Sequence, residues 1–242
     1  MKRILAGLVA IAMSIGIPMA RADELSDSDV KRLALEAILE NPEIIMQAIQ
    51  LLQQREDQAK AEAIGSVLEN QRELLEQDPN APVIGNPEGD VTVVEFCDYN
   101  CPYCKRAAPV VKNVIAGDSD VRIVYREWPI LGEGSDFAAR AALASRNQGK
   151  YEEFHWALMA LNGRATEASV LKVVRELGLD EDQLRADMEA PEVDAHIQIS
   201  MELARQLGFS GTPSFVIGDA LAPGLIAEDE MTRLIEAARD AR

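Results

Sequence analysis

What this sequence has little of narrows the field first. Its 242 residues include three cysteines, two histidines and 5% aromatic residues. The cysteines, Cys97, Cys101 and Cys104, lie together in one short stretch. A disulfide scaffold needs cysteines spread out to staple distant segments, so that class is excluded. The histidines, His155 and His196, sit in separate helical patterns and are expected in core or solvated roles. They do not complete a zinc site, which needs more ligands than the cysteine pair supplies. No metal and no cofactor is expected. Positive charge is scarce too: 24 Lys+Arg against 41 Asp+Glu give a net charge of −17. With no basic run, such a surface repels nucleic acid and anionic membranes. Beyond residue 17 no stretch is apolar enough to span a bilayer, and no repeat or low-complexity segment occurs.

The N-terminus carries a strong signal. Lys2 and Arg3 precede an uncharged, mostly apolar stretch over residues 4–17, followed by Ala20-Arg21-Ala22. That is a positive region, a short hydrophobic region and an A-x-A cleavage site, so residues 1–22 are expected to be a signal peptide. The mature chain would then be exported, into surroundings where disulfides persist.

Residues 23–79 form an expected helical region. Ser26 with Asp29 three residues on resembles a capping box, and Asn41-Pro42-Glu43 reads as a break and restart with proline at a first helical position. The apolar residues Leu35, Ile38, Leu39, Ile45, Met46, Ile49 and Leu52, and later Ile64, Leu68 and Leu75, recur at helical spacing. A face of that kind must be covered, either by the rest of the chain or by copies of itself in a homo-oligomer. Residues 78–90 hold three prolines and two glycines and are expected as a linker, with the second domain at 80–242. Residues 91–96 read as a buried strand with apolar residues on both faces, followed by a helix to about 115 and a second strand over 121–127. Strand, helix, strand makes a parallel unit and an α/β fold. Residues 133–208 read as a helical insertion. A third strand follows over 213–217, then a hairpin partner over 221–226 and a closing helix over 228–239.

The chemistry lies where the first strand ends, in Glu95-Phe96-Cys97-Asp98-Tyr99-Asn100-Cys101-Pro102-Tyr103-Cys104-Lys105. A C-x-x-C that closes a strand and opens a helix sets its first sulfur beside unpaired N–H groups at the positive end of the helix dipole. Both favour thiolate over thiol. Pro102 suits the first turn because its missing N–H costs nothing there. The two sulfurs can approach within bonding distance across one turn, so Cys101 and Cys104 can cycle between dithiol and disulfide, with Cys101 as the attacking thiol. A structural bridge closing so short a loop would stabilise little. Cys97 is expected to pack as a small buried residue.

The strand–CxxC–helix run, the helical insertion and the distant Gly211-Thr212-Pro213 opening a strand resemble the DsbA-like branch of the thioredoxin superfamily over about residues 85–242. The N-terminal helices, Asp98-Tyr99-Asn100-Cys101 and the Gly-Thr-Pro-Ser-Phe-Val-Ile-Gly-Asp run are most similar to its suppressor-of-copper-sensitivity and outer-membrane-immunogen-like subgroup. The resemblance implies a thioredoxin-like fold with an inserted helical subdomain and periplasmic thiol–disulfide exchange. It further implies substrate proteins that carry cysteines, a membrane redox partner that resets the CxxC, and a helical N-terminus able to trimerise the protein. By residue, Pro213 matches a cis-proline facing the CxxC, and the Thr212 backbone matches a position that pairs with extended substrate. Pro102 and Tyr103 fall in the same substrate-contacting set. Glu95 matches a buried acid that exchanges a proton with Cys104, and Pro109 matches a kinking proline in the first helix. The dipeptide is Pro-Tyr where the strongest oxidant of the family has Pro-His, and Tyr103 cannot carry positive charge, which lowers the expected oxidising power. Oxidase and isomerase directions use the same residues; the oligomerising helices favour isomerase. A thiol-based copper(I)-binding protein and a helical scaffold with an idle CxxC stand as the alternatives.

Overall fold

The computed structural model describes residues 26–241; the expected signal peptide lies outside them. Two compact units divide the chain, the first up to Glu56 and the second from Asp57. The division falls inside a helix, not at the proline-rich stretch near residue 80.

The first unit contains α1 (Asp27–Glu40) and the start of α2 (Glu43–Gln77). The Ser26 side chain accepts from the Asp29 N–H and caps α1, satisfying one of the donors that a helix start leaves open. The chain breaks at Asn41, and Pro42 precedes the restart. No residue of α1 is buried, and Leu35, Leu39, Ile45, Met46, Ile49 and Leu52 are all exposed.

The second unit is built on a sheet in the order β1-β3-β2-β4-β5, comprising β1 (Val83–Gly85), β2 (Val91–Cys97), β3 (Val121–Glu127), β4 (Ser214–Ile217) and β5 (Ala220–Pro223). The central pair β2 and β3 is parallel, and β4 is antiparallel to β2. Every residue of β2 and β3 is buried, because helices cover both faces and neither strand is an edge. The expected linker contains β1, which pairs antiparallel with β3.

Alternation along β2 separates two cores. Val93 and Cys97 join one cluster with α3 (Pro102–Gly117), through Cys104, Ala107 and Val111, and with α9 (Glu228–Asp240), through Met231 and Ile235. Val94 and Phe96 join the other, with Leu68 and Leu75 of α2 and Leu203 of α8 (Pro191–Gln206). The C-terminal half of α2 is therefore a layer of the second unit. Burying each leucine contributes about 1.5–3 kcal/mol. Arg126, fully buried, reaches across this second face to Asp78 (2.6 Å) and to the Leu75 carbonyl (3.3 Å), fixing the end of α2 on the sheet.

Between β3 and β4 runs the helical insertion: α4 (Glu133–Ser145), α5 (Tyr151–Met159), α6 (Glu167–Glu176), α7 (Glu181–Met188) and α8. All five lie within residues 133–208, the stretch expected to be helical.

Candidate active site

The site forms where β2 ends and α3 begins. Cys101 is the N-cap of α3 and Pro102 occupies the first helical position. Cys97, Cys101 and Cys104 are all free thiols. Cys101 is 5% exposed whereas Cys104 is sealed at 0%, so only the first sulfur can be approached from outside. As a thiol, Cys101 donates to the Thr212 carbonyl at 3.0 Å. As a thiolate it takes hydrogen bonds from the Cys104 thiol first, then from the Thr212 side chain and from the N–H groups of Cys104 and Tyr103. Together these outweigh burial and bring its pKa down to about 5. Cys104 goes the other way: burial, its role as donor to Cys101, and the neighbouring Cys97 and Glu95 hold it as a thiol. One turn of helix thus carries a poised nucleophile and a protonated partner.

The Thr212–Pro213 peptide bond is cis. Thr212 is half-buried, Pro213 buried, and Pro102 and Tyr103 are exposed beside the thiol. The Arg106 guanidinium lies 5.4 Å from the centre of the Tyr103 ring.

Glu95 is 1% exposed and sits on the α3 face of β2 in register with Tyr125 of β3. Burial first, then the nearby Glu127 and Cys101, push its carboxyl up to about 8 against the opposing Tyr125 hydroxyl. Its Oε2 has no hydrogen-bond partner among the described residues.

The segment leading into Cys101 is clamped. Asp98 Oδ1 accepts from the Asn100 N–H and the Ser135 hydroxyl, both at 2.7 Å, and Oδ2 from the N–H groups of Ile130 (2.8 Å) and Leu131 (3.0 Å). The Asn100 side chain accepts from the Ala165 N–H (2.7 Å) and donates to the Ala165 carbonyl and Ser135. That approach requires glycine at 134, since a Cβ there would stand 2.1 Å from the Ala165 oxygen. Lys105 adds bonds to the carbonyls of Leu161 (2.8 Å) and Gly163 (2.7 Å). The helical insertion holds the active-site turn through these contacts.

Cys101, Cys104, Glu95, Thr212, Pro213, Pro102 and Tyr103 are the residues singled out in the sequence. The structure brings Thr212 against Cys101 and buries Glu95. Sequence reasoning assigned no role to Asp98, Asn100, Lys105 or Glu127. An acidic residue closing an apolar β-run was the one available signal for Glu127.

A thioredoxin-like sheet presenting an asymmetric dithiol at a helix N-terminus, with a cis-proline opposite, defines a thioredoxin-fold dithiol protein. The family model of the DSBA-like thioredoxin domain matches residues 92–236, and the chain belongs to that family. The model of the copper resistance protein ScsC N-terminal domain matches residues 28–59. Among solved structures, a thioredoxin-like oxidoreductase from Silicibacter pomeroyi is 64% identical with a TM-score of 0.70, covering 71% of this chain and 99% of that one. A linker-deletion mutant of Proteus mirabilis ScsC is 26% identical with a TM-score of 0.68, covering 90% of this chain and 98% of that one. Among curated proteins, a Na(+)/H(+) antiporter NhaA of Salinispora tropica is 33% identical over 147 residues, which are 60% of this chain and 22% of the antiporter. No helix of the described residues is long and apolar enough to cross a membrane.

Proposed function

We propose that this chain is a periplasmic thiol–disulfide oxidoreductase that exchanges disulfides with exported, cysteine-bearing proteins, working as a homo-oligomer in the isomerase direction. The observation that carries the reading is the asymmetry of the pair, with an accessible Cys101 pulled toward thiolate and a sealed Cys104 held as thiol. The Cys101 thiolate attacks one sulfur of a substrate disulfide. A mixed disulfide forms, and the other substrate sulfur leaves as thiolate. In isomerisation that thiolate attacks elsewhere in the substrate, and a substrate thiolate finally displaces Cys101 with no net oxidation. When shuffling stalls, Cys104 attacks the Cys101 sulfur and closes the CxxC disulfide. The substrate leaves reduced by two electrons, and a membrane redox partner resets the CxxC. Glu95 takes the Cys104 proton in that step and returns it in reverse. With a pKa of about 8, Glu95 holds its proton at neutral pH in most molecules, and its ionised fraction, which accepts the Cys104 proton, grows as pH rises. Thr212 offers backbone groups for pairing with an extended substrate segment, beside Pro213, Pro102 and Tyr103.

The exported location rests on the signal-like N-terminus, residues 1–22. The oligomer, a trimer in this reading, rests on the exposed apolar residues of α1 and early α2, which require cover in water. The test is exchange with a scrambled, disulfide-containing substrate. Cys101→Ala abolishes exchange, and Cys104→Ala accumulates a mixed disulfide visible on a non-reducing gel. An active Cys101→Ala variant would sink the mechanism.

A further inference from the structure

A second carboxyl lies in the core near the CxxC, with no part in the exchange steps above. Glu127, the last residue of β3, is 0% exposed. The β2–β3 register pairs Glu95 with Tyr125 and Cys97 with Glu127. Successive odd positions share a face, so Glu95, Cys97, Tyr125 and Glu127 all point toward α3 and the insertion. Strand spacing and rise set the Glu95 and Glu127 backbones roughly 8 Å apart, diagonally across the pair.

The two carboxyls are held differently. Glu127 Oε1 lies 2.8 Å from the hydroxyls of both Tyr99 and Tyr151, and Oε2 faces the Cys97 sulfur at 3.9 Å. Tyr99 is in turn 2.9 Å from His155 Nδ1. Glu95 Oε2 has no partner within hydrogen-bond distance among the described residues, and only the Tyr125 hydroxyl across the strand pair opposes the rise of its carboxyl. Glu127 is thus braced in place, while Glu95 keeps an oxygen free for a proton.

Among the described residues no cation offsets this pair. Among the described residues no ion pair includes Glu127; Arg126, its neighbour in sequence, bonds to Asp78 in the other core. From α8, His196 accepts the Glu127 backbone N–H through Nε2 at 3.1 Å. From α5 comes His155, which Lys112 of α3 also disfavours as a cation. Burial keeps both imidazoles neutral, with pKa values near 3. The remaining groups facing the pair are acids: Asp98, whose oxygens are already taken by four donors, and the thiols of Cys97, Cys101 and Cys104. Two carboxylates in one buried, uncompensated site cannot both ionise freely.

We infer that Glu127 is a positioning residue of the exchange site: it and Glu95 form a coupled buried carboxyl pair, in which the charge on Glu127 sets the pH at which Glu95 accepts the Cys104 proton. Burial first, and Asp98 after it, raise Glu127 to about 8 against the hydrogen bonds from Tyr99, Tyr151 and Cys97, the same value as Glu95. The pair therefore loses its protons in two linked steps, and Cys104 is relieved of its proton over a broad pH range.

This role rests on the exchange reading above, and the experiment separates the two. The rate at which Cys104 resolves a preformed mixed disulfide at Cys101 is measured against pH in the full chain, as wild type, E127Q and E95Q. Wild type gives a broad, two-step rise. E127Q gives a single-proton step with its midpoint about one pH unit lower, the size at which two sites titrate as a pair. E95Q loses the step. An E127Q profile that overlays wild type overturns the role of Glu127, while a wild type that forms no mixed disulfide overturns the exchange reading itself. If E127Q does not fold, the same coupling is read from the other side, since linkage is reciprocal. Infrared titration of the protonated carboxyl band then shows Glu127 moving down by the same amount in E95Q, and an unmoved band overturns the proposal.

Discussion

Two cysteines three residues apart in one helical turn have opposite acid–base character because their surroundings differ. Cys101 collects donors at a helix start, and Cys104 is buried among acids. The largest of the Cys101 donors is the Cys104 thiol. Replacing Cys104 by Ala is therefore expected to move the Cys101 titration from about 5 toward its ordinary value of 9. It should stop short of that value, because Thr212 and two N–H groups remain. Ultraviolet thiolate absorbance against pH reads the shift, and an unmoved midpoint would mean that the helix start alone sets the nucleophile. At this scale the sequence was most legible where a chemical type stood at a fixed spacing, as in Cys101 and Cys104, whereas Glu95 was singled out by the family resemblance. Asp98, Asn100 and Glu127 escaped because their side-chain partners, the local Asp98–Asn100 bond aside, lie 24 to 65 residues away in the chain. Only strand register and the folded insertion bring those partners together.

Whole elements were legible when their periodicity was strong and long. Residues 91–97 and 121–127 are rich in β-branched residues and form the paired central strands. The eight-residue α7 was covered by the helical reading of 133–208 but not resolved as a separate helix, because only Leu184 and Met188 of it are buried, too few for a pattern. The three-residue β1 was hidden by the prolines around it and exists through pairing with β3. The end of α2 was ambiguous from its apolar face alone. What decides it is the buried Arg126–Asp78 pair together with Leu68 and Leu75. Asp78→Ala leaves the Arg126 guanidinium buried without its carboxylate, so the expected loss of stability is about 3–5 kcal/mol. Denaturant unfolding measures it; a loss below about 1 kcal/mol, as for a surface pair, would show that water compensates Arg126.

For the molecule as a whole, buried acids and imidazoles make stability depend on pH in a definite direction. Glu95 and Glu127 keep protons up to about pH 8 in the native state, while unfolded carboxyls release them near 4.5. The native state then binds more protons, and stability falls as pH rises through that window. His155 and His196 act oppositely: unfolded imidazoles protonate near 6.5 and native ones only near 3, so stability rises between those values. In the reduced protein Cys101 also opposes the carboxyls, since its native pKa is about 5 and its unfolded value 9. Between pH 6.5 and 8 two carboxyl protons outweigh one thiol proton, and the reduced protein loses stability. Urea unfolding at the two ends of that range tests the sign, and Cys101→Ala should steepen the fall. A stability that climbs over the same range would contradict burial of both carboxyls. The proposed exported location and oligomeric state belong to this scale as well, and they rest on patterns, a signal-like N-terminal sequence and an uncovered apolar face.

The central claim, a reversible dithiol couple at Cys101 and Cys104, is tested most directly by redox equilibrium against glutathione. A thiolate near pKa 5 lies between those of the strongly oxidising DsbA, about 3.5, and thioredoxin, about 7. The account therefore predicts one two-electron couple with a potential between about −120 and −270 mV, in the range where disulfides are both made and broken. A chain that shows no reversible couple, or keeps it after Cys101→Ala, would contradict the account.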